Sequence, residues 1–438
     1  MSFSLHGVHV PHRKNTADKL AVRLTEIKSV TIPTSMHIGA PAKPTVKVGD
    51  VVCIGQVIAE GVGFVSSPIH ASVSGKVTKI SDVLLSSGVT VPAITIESDG
   101  EMAVCESVKA PDVNSREELI DAIRNSGAVG LGGAGFPTHV KWSVDPDRIQ
   151  EFVINGAECE PYITSDSYTM TERADDMEYF IRAVQKHFGV KRTVIGIESN
   201  KKNAIRSMQK MAGRMEGVEV KILPQLYPQG GEKVLVYHTT KKVIPTGKLP
   251  IDVGCIVCNC TTVAAIGSYL KTGMPLVKKC VTVDGGSIKT PQNVIAPIGV
   301  SINDVIRLCG GFTVQPQKVL YGGPMMGITV PDLAMPIIKN TNAIIALSEK
   351  EARLPKTTAC IRCGACTNAC PFGLAPAQIL RAYNKKDIDA LRSLSVDTCM
   401  LCGCCSFICP ANRPLVQTNN LSKQLLREEK VKEASKNG

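Results

Sequence analysis

Apolar and polar residues alternate along two stretches near the start of the chain. Residues 46–58 and 69–80 carry an apolar side chain at about every second position, and glycines interrupt both stretches. A period of two is the pattern of a β-strand with one buried face, and glycine supplies the turns between such strands. The first hundred residues are therefore predicted to form β-hairpins.

The turn residues of this β-rich region occur in a particular order. The run Val48-Gly49-Asp50, then Gly55-Gln56, then Ser74-Gly75-Lys76-Val77 resembles the flattened barrel of biotinyl and lipoyl carriers. A carrier holds its swinging arm on a lysine at the hairpin tip, but residues 48–75 contain no lysine. We therefore expect a barrel-sandwich hybrid over residues 1–108 that serves as a scaffold or docking module.

Helix and strand patterns alternate farther along the chain. Residues 114–125 predict a helix, with Asn114 or Ser115 as its N-cap and acidic residues in its first turn. Three apolar runs predict buried strands, within 152–161, 192–198 and 218–223. The alternation predicts a mostly parallel sheet with helices on its faces, a Rossmann-like domain over residues 109–250.

Two further units are predicted after residue 250. Short strands and turns within 275–330 indicate a small mixed domain over residues 251–345. Ahead of them, Val257 begins an apolar segment that predicts a helix, with Asn259 or Thr261 near its N-cap. Residues 346–438 are predicted to contain helices near 377–383 and 388–394 and to end in a charged helix.

Cysteine spacing carries the most specific chemistry in the chain. Two runs follow the pattern C-x-x-C-x-x-C-x-x-x-C-P, as in a bacterial two-cluster ferredoxin, where the fourth cysteine of each run ligates the other run's cluster. One [4Fe–4S] cluster is therefore assigned to Cys360, Cys363, Cys366 and Cys409. The second is assigned to Cys399, Cys402, Cys405 and Cys370. Residues 346–438 are thus predicted to form a ferredoxin-like domain with two clusters.

Other uses of the cysteines fit the spacing less well. Zinc sites also use cysteines two residues apart, but two complete runs closed by Cys-Pro are hard to explain in that way. Disulfides are disfavoured because nothing marks the chain as secreted. Cys404 fits neither run and is predicted to be a spare buried thiol. A metal site at Cys255, Cys258 and Cys260 is disfavoured because their spacing is irregular and no fourth ligand is nearby.

Net charge limits the possible partners. The 438 residues, enough for about three domains, carry a formal charge of +11. Eight thiolates and two oxidised clusters of about two positive charges each lower this value to about +7. Modest basicity suits a dinucleotide, an acidic ferredoxin-like partner or an anionic membrane surface. Nucleic-acid binding is not predicted, because no basic helix or aromatic-rich patch accompanies the charge.

Hydropathy gives a separate expectation about membranes. The longest candidate for an apolar run, residues 253–270, is broken by Asn259 and by hydroxyl side chains. A membrane-spanning helix needs roughly eighteen or more apolar residues, and the N-terminus lacks the apolar core of a signal peptide. We therefore expect neither a membrane span nor a signal peptide.

A glycine-rich loop follows the first predicted helix. Gly130, Gly132 and Gly135 match G-x-G-x-x-G, with Gly133 between them, but the loop follows a helix and not a strand. Such a loop offers free N–H groups and close backbone approach to a phosphate or a flat ring. A purely structural turn is the alternative.

Polar residues end the apolar strand predicted within 152–161. Asn155, Glu158 and Glu160 follow its apolar residues. Ligands of α/β folds bind at the carboxyl ends of strands, where such groups collect. The strand end therefore favours a ligand site over a purely structural turn.

Several motifs together resemble a known family. The glycine loop with Lys141-Trp142, then Asn155-x-x-Glu158-x-Glu160-Pro161, Gly231-Glu232, and Asn259 with Thr262 resemble the flavin- and NADH-binding region of the flavoprotein of respiratory complex I. With the His-rich segment 6–15, the carrier-like barrel and the two cluster motifs, the whole chain resembles the C subunits of Rnf complexes. Those complexes are membrane-bound, ion-translocating ferredoxin:NAD oxidoreductases.

The resemblance implies a non-covalent FMN, NAD(H) as substrate and a β-grasp-like fold for residues 251–345. It implies that FMN is held by Gly130, Gly132, Gly133, Lys141, Asn155, Gly231, Asn259 and Thr262. It implies that NADH stacks near Phe136, with Glu158, Glu160 and Glu232 around the nicotinamide and riboses. The implied activity is hydride exchange between NAD(H) and FMN, with single electrons relayed through both clusters.

Two positions depart from the complex I pattern. The complex I flavoprotein has Arg where this chain has Leu131, and Asp where this chain has Ala157. It also carries one cluster in the region where this chain has two cluster motifs. Both side-chain replacements remove polar groups, so they bear on the FMN and NADH contacts.

Partners and location are implied by the same resemblance. The expected partners are other Rnf subunits, including an iron–sulfur subunit and integral membrane subunits, with ferredoxin reached indirectly. The expected location is peripheral, on the cytoplasmic face of the bacterial cell membrane. Two other functions remain open: a soluble flavin and iron–sulfur cobalamin reductase of a microcompartment, and a non-catalytic iron–sulfur adaptor.

Overall fold

The N-terminal region is a β-sandwich, as its period of two predicts. The computed structural model describes residues 6–86 and 88–437. The strands of the N-terminal region are β1 (Val22–Arg23), β2 (Ser29–Pro33), β3 (Lys43–Pro44), β4 (Val51–Val52), β5 (Val57–Glu60), β6 (Ile69–His70), β7 (Gly75–Leu84) and β8 (Thr90–Ser98). One antiparallel sheet has the order β2-β8-β7-β4 and a second has the order β3-β5-β6. Ile32, Val77 and Ile96 of the first sheet share a core with Ile58 and Ile69 of the second.

A parallel sheet follows, flanked by helices. Its elements are α1 (Arg116–Asn125), α2 (Thr138–Trp142), β9 (Glu151–Gly156), α3 (Ser165–Glu172), α4 (Ala174–Phe188), β10 (Arg192–Glu198), α5 (Lys202–Ala212), β11 (Val218–Leu223), α6 (Glu232–Thr240), β12 (Cys255–Asn259) and α7 (Cys260–Thr272), with 3₁₀ turns at Pro146–Arg148 and Pro250–Val253. The strand order is β11-β10-β9-β12, with every pair parallel. The predicted parallel α/β arrangement is therefore confirmed.

This strand order creates a crevice. The chain winds outward from β9 through β10 to β11 and then returns to place β12 on the other side of β9. Ligands of doubly wound folds bind outside the carboxyl ends of the strands at such a reversal. The end of β9 carries Asn155, which pairs in register with Asn259 at the end of β12.

Helices α1 and α7 begin at N-caps that the sequence predicts. Ser115 is the N-cap of α1, and its hydroxyl accepts the backbone N–H of Glu118 while the Glu118 carboxylate accepts the Ser115 N–H. This reciprocal pair satisfies two N–H groups that the helix itself leaves unpaired. Asn259 is the N-cap of α7, since its side chain accepts the Thr261 N–H.

The parallel sheet extends past residue 250, where the sequence predicts a domain boundary. Strand β12 pairs with β9 along its length, and α7 packs on α4. Both elements lie beyond 250, yet they bury apolar side chains such as Val263 and Ile266 in the core under the parallel sheet. The four predicted domain ranges remain predictions, but the sheet includes residues up to Asn259, and the helix packed on it ends at Thr272.

A mixed sheet and one packed helix form the next unit. Its elements are β13 (Lys278–Asp284), β14 (Gln292–Pro297), α8 (Ile302–Leu308), β15 (Lys318–Tyr321), β16 (Ile328–Thr329) and β17 (Ala343–Leu347). The order is β1-β14-β13-β17-β15-β16, so a strand from the start of the chain completes one edge. The predicted short strands form this mixed sheet, while the domain over residues 251–345 and its β-grasp-like type remain predictions.

Short helices make up most of the cysteine-rich region. They are α9 (Glu349–Ala352), α10 (Ala365–Asn368), α11 (Pro376–Lys385), α12 (Ile388–Ser393), α13 (Cys404–Phe407) and the longer α14 (Leu415–Asn437), with a 3₁₀ turn at Val396–Thr398. Helix α14 packs against α11, α12 and α13. No helix within the described ranges is both long enough and apolar enough to cross a membrane.

A buried lysine joins three parts of the chain. The Lys339 ammonium group lies 2.7 Å from the Pro68 carbonyl oxygen of the sandwich and 2.7 Å from the Gly127 carbonyl oxygen after α1. Lys339 itself belongs to the segment before β17, and burial lowers its pKa to about 7. The sandwich, the α/β unit and the mixed sheet therefore meet at one side chain.

We predict that Lys339→Met destabilises the protein. The change preserves the bulk of the stem but leaves two buried carbonyl groups without a donor, at a cost of about 1–3 kcal/mol for each group. A fall in the thermal unfolding midpoint is the expected measurement, and Lys210→Met on the exposed face of α5 is the matched control. Equal midpoints for the two variants would contradict the role given to Lys339.

The same lysine gives a pH dependence with a definite sign. Between pH 7 and 10.5 the unfolded chain keeps a proton on this lysine that the folded chain releases. Stability contributed by Lys339 therefore rises with pH in this window, by about 2 kcal/mol from pH 7 to 9. The difference in unfolding free energy between wild type and Lys339→Met is expected to grow by this amount.

Candidate functional site

The glycine loop is closed by a backbone bond and held by a threonine. The Gly130 N–H donates to the Phe136 carbonyl at 2.9 Å. The Thr262 hydroxyl, in the first turn of α7, accepts the Leu131 N–H at 3.0 Å and donates to the Val129 carbonyl at 3.0 Å. The loop is thereby fixed on the amino end of α7, beside the crevice.

Gly132 has no room for a side chain. A Cβ there would lie 2.6 Å from Nδ2 of Asn259, whereas one on Gly133 would meet nothing within 4 Å. The Asn259 amide is itself held, because Nδ2 donates to Asp166 at 2.7 Å. The loop therefore packs its backbone against the end of β12 and leaves the Gly133 side open to a ligand.

The end of β9 is tied to the turn before α6. The Asn155 amide donates to the Gly230 carbonyl at 2.9 Å, and its oxygen accepts the Ala157 N–H at 3.1 Å. Gly231 is the N-cap of α6. A helix amino end carries partial positive charge, so the amino ends of α6 and α7 provide a favourable environment for an anion.

Lys141 supplies the positive side chain in this crevice. Its ammonium group donates to the Val257 carbonyl of β12 at 2.9 Å and lies 3.4 Å from the Glu232 carboxylate at the start of α6. Lys141 and Glu232 are therefore brought together, as the family pattern implies.

The two predicted carboxylates of the β9 turn are occupied by protein donors. Glu158 accepts the Asp166 N–H at 2.7 Å and the Ser167 hydroxyl at 3.0 Å. Glu160 accepts the N–H groups of Met325 and Met326 at 3.0 and 2.8 Å. Burial is the main reason that the pKa of Glu160 is raised to about 7. Both residues fix neighbouring segments, and their contact with a nucleotide remains a prediction.

Three residues that were not predicted from the sequence support the site: Lys279 is buried, and Lys14 and Asp166 are partly buried. The Lys14 ammonium group donates to the carbonyls of Glu158, Glu160 and Ile163. Lys279 donates to the Leu131 carbonyl at 2.7 Å, and Asp166 accepts from Asn259. Burial lowers the pKa of Lys279 to about 8. A sequence signal existed for Lys279, because it shares one face of β13 with two buried valines, Val281 and Val283.

The side chains at the two positions that depart from the complex I pattern are packed in hydrophobic cores. Leu131 is buried in the core shared by the sandwich and the mixed sheet. Ala157 packs with Val153, Leu223 and Leu235. Because both side chains lie among apolar residues and outside the crevice, both substitutions are accommodated by packing.

Four cysteines from both runs surround one cavity. Cys360, Cys363, Cys366 and Cys409 line a space of about 380 Å³. The set that the crossed ferredoxin pattern requires therefore shares one cavity, and its ligation of one cluster remains a prediction. A ring of thiols is the donor set that iron–sulfur clusters use, so the residues fit this group.

The second cysteine set is more deeply placed. Cys399, Cys402 and Cys405 are buried, and Cys370 is partly buried. Burial raises the pKa of Cys405 to about 12, with further contributions from neighbouring Cys399 and Cys402. Iron would have to deprotonate such thiols on binding, as metal sites do.

The two cysteine loops repeat one backbone conformation. Arg362 and Leu401, each two residues after the first cysteine of a run, have φ of 59° and 60°. Gly364 and Gly403, each four residues after it, have φ of 77° and 85°. These left-handed positions wrap each loop in the same way, and glycine adopts them without steric cost.

The buried cysteine set lies against residues 227–231, which we call the flavin-site turn because the resemblance to the complex I flavoprotein implies that Gly231 holds FMN. The Tyr227 hydroxyl donates to the Cys402 carbonyl at 2.7 Å, and the Cys404 thiol contacts the Tyr227 carbonyl at 3.7 Å. Met400 lies so close to Gly231 that a Cβ on this glycine would be 2.2 Å from the Met400 methyl carbon. Cys404 is buried as predicted, but it also contacts the turn that leads to α6.

Cys255 lies apart from the other two cysteines near β12. Cys255 packs with Val153 and Val257, in a different core from Cys258. Cys260 begins α7 and lies in the same core as Cys258. Residues on opposite faces of a strand point away from each other, and this separates the thiols.

Family models match successive parts of the chain. Residues 2–101 match the RnfC barrel sandwich hybrid domain, and residues 123–268 match the Nuo51 FMN-binding domain. Residues 280–329 match the SLBB domain, and residues 356–419 match the 4Fe-4S dicluster domain. The NAD⁺-reducing [NiFe]-hydrogenase in the H₂-reduced state aligns over 71% of this chain and 61% of its own, with a TM-score of 0.48 and 18% identity.

Several relatives are similar over nearly the whole chain. The C subunit of the Na⁺-translocating ferredoxin:NAD⁺ oxidoreductase complex of Acetobacterium woodii is 42% identical over 95% of both chains. The C subunit of the proton-translocating complex of Clostridium ljungdahlii is 40% identical over 87% of this chain and 84% of its own. The C subunit of the ion-translocating oxidoreductase complex of Rhodobacter capsulatus is 38% identical over 98% and 84%. The chain therefore belongs to the family of C subunits of ion-translocating ferredoxin:NAD oxidoreductase complexes, the Rnf complexes.

Proposed function

We propose that this chain is the NAD(H)-reacting subunit of a membrane-bound, ion-translocating ferredoxin:NAD oxidoreductase. Two contacts between the flavin-site turn and the loop of the buried cysteine set carry this proposal. Tyr227 of the turn contacts Cys402, and Gly231 of the turn contacts Met400. FMN, when bound, exchanges a hydride with NAD(H) and handles electrons one at a time, while [4Fe–4S] clusters carry single electrons. The chain brings the sites for both kinds of cofactor into direct contact.

The crevice residues suit an FMN with its phosphate near two helix ends. Gly132 and Gly231 allow Asn259 and Met400 to pack closely, Gly133 leaves open space for a ligand, and Gly130 and Thr262 shape the loop above the crevice. Lys141 and the helix amino ends provide positive potential where a reduced, anionic flavin ring gains charge. The remaining residues of the proposed FMN and NADH site are Asn155, Asn259, Phe136, Glu158, Glu160 and Glu232.

The two cysteine sets take different places in the proposed relay. The set of Cys370, Cys399, Cys402 and Cys405 contacts the flavin-site turn through Tyr227 and Met400. In the set of Cys360, Cys363, Cys366 and Cys409, the first two residues are exposed. We therefore propose that the buried set exchanges electrons with the flavin and the exposed set exchanges them with a partner.

Partners and location follow from family membership. The relatives are named as subunits of multi-subunit oxidoreductase complexes. We propose that this chain likewise works with an iron–sulfur subunit and integral membrane subunits, that it meets ferredoxin indirectly, and that it lies peripherally on the cytoplasmic face of the membrane. The coupling ion is sodium in one named relative and the proton in another.

The rival functions fit less well. A microcompartment cobalamin reductase would share the central domains, but the N-terminal match at residues 2–101 is to the RnfC barrel sandwich hybrid domain. A flavin-free adaptor would be favoured by polar groups missing from the crevice, but Leu131 and Ala157 place their side chains in cores outside it.

Cofactor analysis tests the proposal directly. Protein purified without oxygen is expected to be brown, to release one FMN per chain on denaturation and to hold about eight iron atoms. It should also reduce an artificial dye with NADH. Colourless protein, or protein that holds zinc in place of iron, would overturn the proposal, and clusters without flavin would favour the adaptor.

Gly132→Ala tests the glycine loop. The new methyl group would displace Asn259 and its bond to Asp166, so FMN binding is expected to weaken by roughly tenfold, the cost of modest overpacking. Flavin content and FMN titration of the apoprotein are the measurements. Gly213→Ala at the end of α5, where a Cβ makes only ordinary contacts, is the control. Unchanged FMN content in Gly132→Ala would count against the loop assignment.

Tyr227→Phe tests the contact between the two sites. The change removes only the hydroxyl group that donates to Cys402, and loss of one such bond costs about 1 kcal/mol. Cluster reduction after mixing with NADH is expected to slow about fivefold, whereas flavin reduction keeps its rate. Rapid-mixing absorbance separates the two steps, and Tyr179→Phe on the surface of α4 is the control. Equal slowing of both steps would argue for a general structural role.

A further inference from the structure

The cavity of the exposed cysteine set opens to the surface. Residues 360–364 are all exposed, and Ile361 between the first two cysteines is 69% exposed. The buried set, in contrast, is covered by the flavin-site turn. One end of the proposed relay therefore lies at the surface, beside an exposed apolar residue.

Arginines dominate the charge at this opening. Of the described residues that line the cavity, the charged ones are Arg362, Arg381 and Arg413, with no Asp or Glu among them. The Arg413 side chain donates to the Thr358 carbonyl, whereas the guanidinium groups of Arg362 and Arg381 have neither a hydrogen bond nor an ion pair to any described residue. Other surface arginines of the chain, such as Arg182 and Arg192, contact carboxylates.

The three arginines that line the cavity change the sign of the local charge. An oxidised [4Fe–4S] cluster on four thiolates carries about −2 and would by itself repel an acidic protein. Three arginines bring the sum to about +1. Arginine together with an exposed apolar residue is also typical of the centre of protein–protein contacts.

We propose that the loop 360–364 and Arg362 and Arg381 beside it form the docking surface for an acidic iron–sulfur protein that carries single electrons. This inference rests on the proposed function and specifies the partner of the exposed cluster. In the step at this surface, one electron leaves the reduced partner cluster and enters the oxidised cluster of this chain. The partner is oxidised by one electron and this chain is reduced by one, with no bond made or broken.

A binding measurement tests the docking surface without relying on catalysis. The full-length chain with its cofactors is titrated with an acidic bacterial ferredoxin that holds two [4Fe–4S] clusters, which serves as a soluble substitute for the iron–sulfur subunit. Arg362→Gln/Arg381→Gln is expected to raise the ferredoxin Kd roughly fivefold, because two screened charge interactions are removed. Added salt should weaken wild-type binding more than binding by the double variant.

Kinetics separate docking from damage to the cluster. With reduced ferredoxin as donor and NAD⁺ as acceptor, the double variant is expected to raise KM for ferredoxin by the same factor at unchanged kcat. Iron content and NADH-dependent dye reduction should equal those of wild type. Arg206→Gln, an exposed arginine on α5, is the control and should change none of these values. If the double variant loses iron, Arg381→Gln alone on α11 takes its place.

Several results would overturn the inference. A ferredoxin Kd within twofold of wild type would do so, as would a fall in kcat and dye reduction without a change in Kd. Arginine-dependent binding to phosphatidylglycerol vesicles with an unchanged ferredoxin Kd would assign the surface to the membrane instead. Failure of the proposed function is distinct, because wild-type protein with full FMN and iron would then not reduce dye with NADH.

Discussion

The register between β9 and β12 is the constraint on which the site depends. Asn155 and Asn259 lie opposite each other in this parallel pair. Asn155 then binds the turn before α6, while Asn259 caps α7 and packs against Gly132. A shift of β12 by one residue would turn Asn259 to the other face of the sheet. Asn259 would then leave the crevice and lose its place opposite Asn155, so one strand pairing sets how the glycine loop lies relative to the turn before α6.

Buried lysines hold the separate units in a fixed arrangement. Lys14, Lys279 and Lys339 each donate to backbone carbonyls of another part of the chain. Burying an ammonium group is costly, and burial lowers the pKa of all three. Hydrogen bonds to carbonyl groups offset that cost only when the units are correctly placed. The geometry between the glycine loop, the β9 turn and the sandwich is therefore specific.

Two loops of nearly identical backbone have different surroundings. Both carry left-handed residues at equivalent positions after their first cysteine. One loop is buried against Tyr227 and the Gly231 turn, and the other is exposed beside unpaired arginines. The two loops differ in burial because different segments pack on each of them. This difference gives the proposed relay a buried inner end and an exposed outer end. Cys404 belongs to the inner contact and is more than a spare thiol.

The sequence by itself determined the local features: the strands with period two, the capped helix within 114–125, the parallel α/β pattern and the two cysteine runs of equal spacing. Each depends on residues close in the chain or on a fixed spacing. Only the tertiary structure decided that β12 joins the parallel sheet and that α7 packs beside it. It also decided that Leu131 and Ala157 face cores, and that Tyr227 contacts Cys402. The last of these contacts joins residues 175 positions apart. No local pattern encodes such contacts, because they arise from how the sheets and loops pack together.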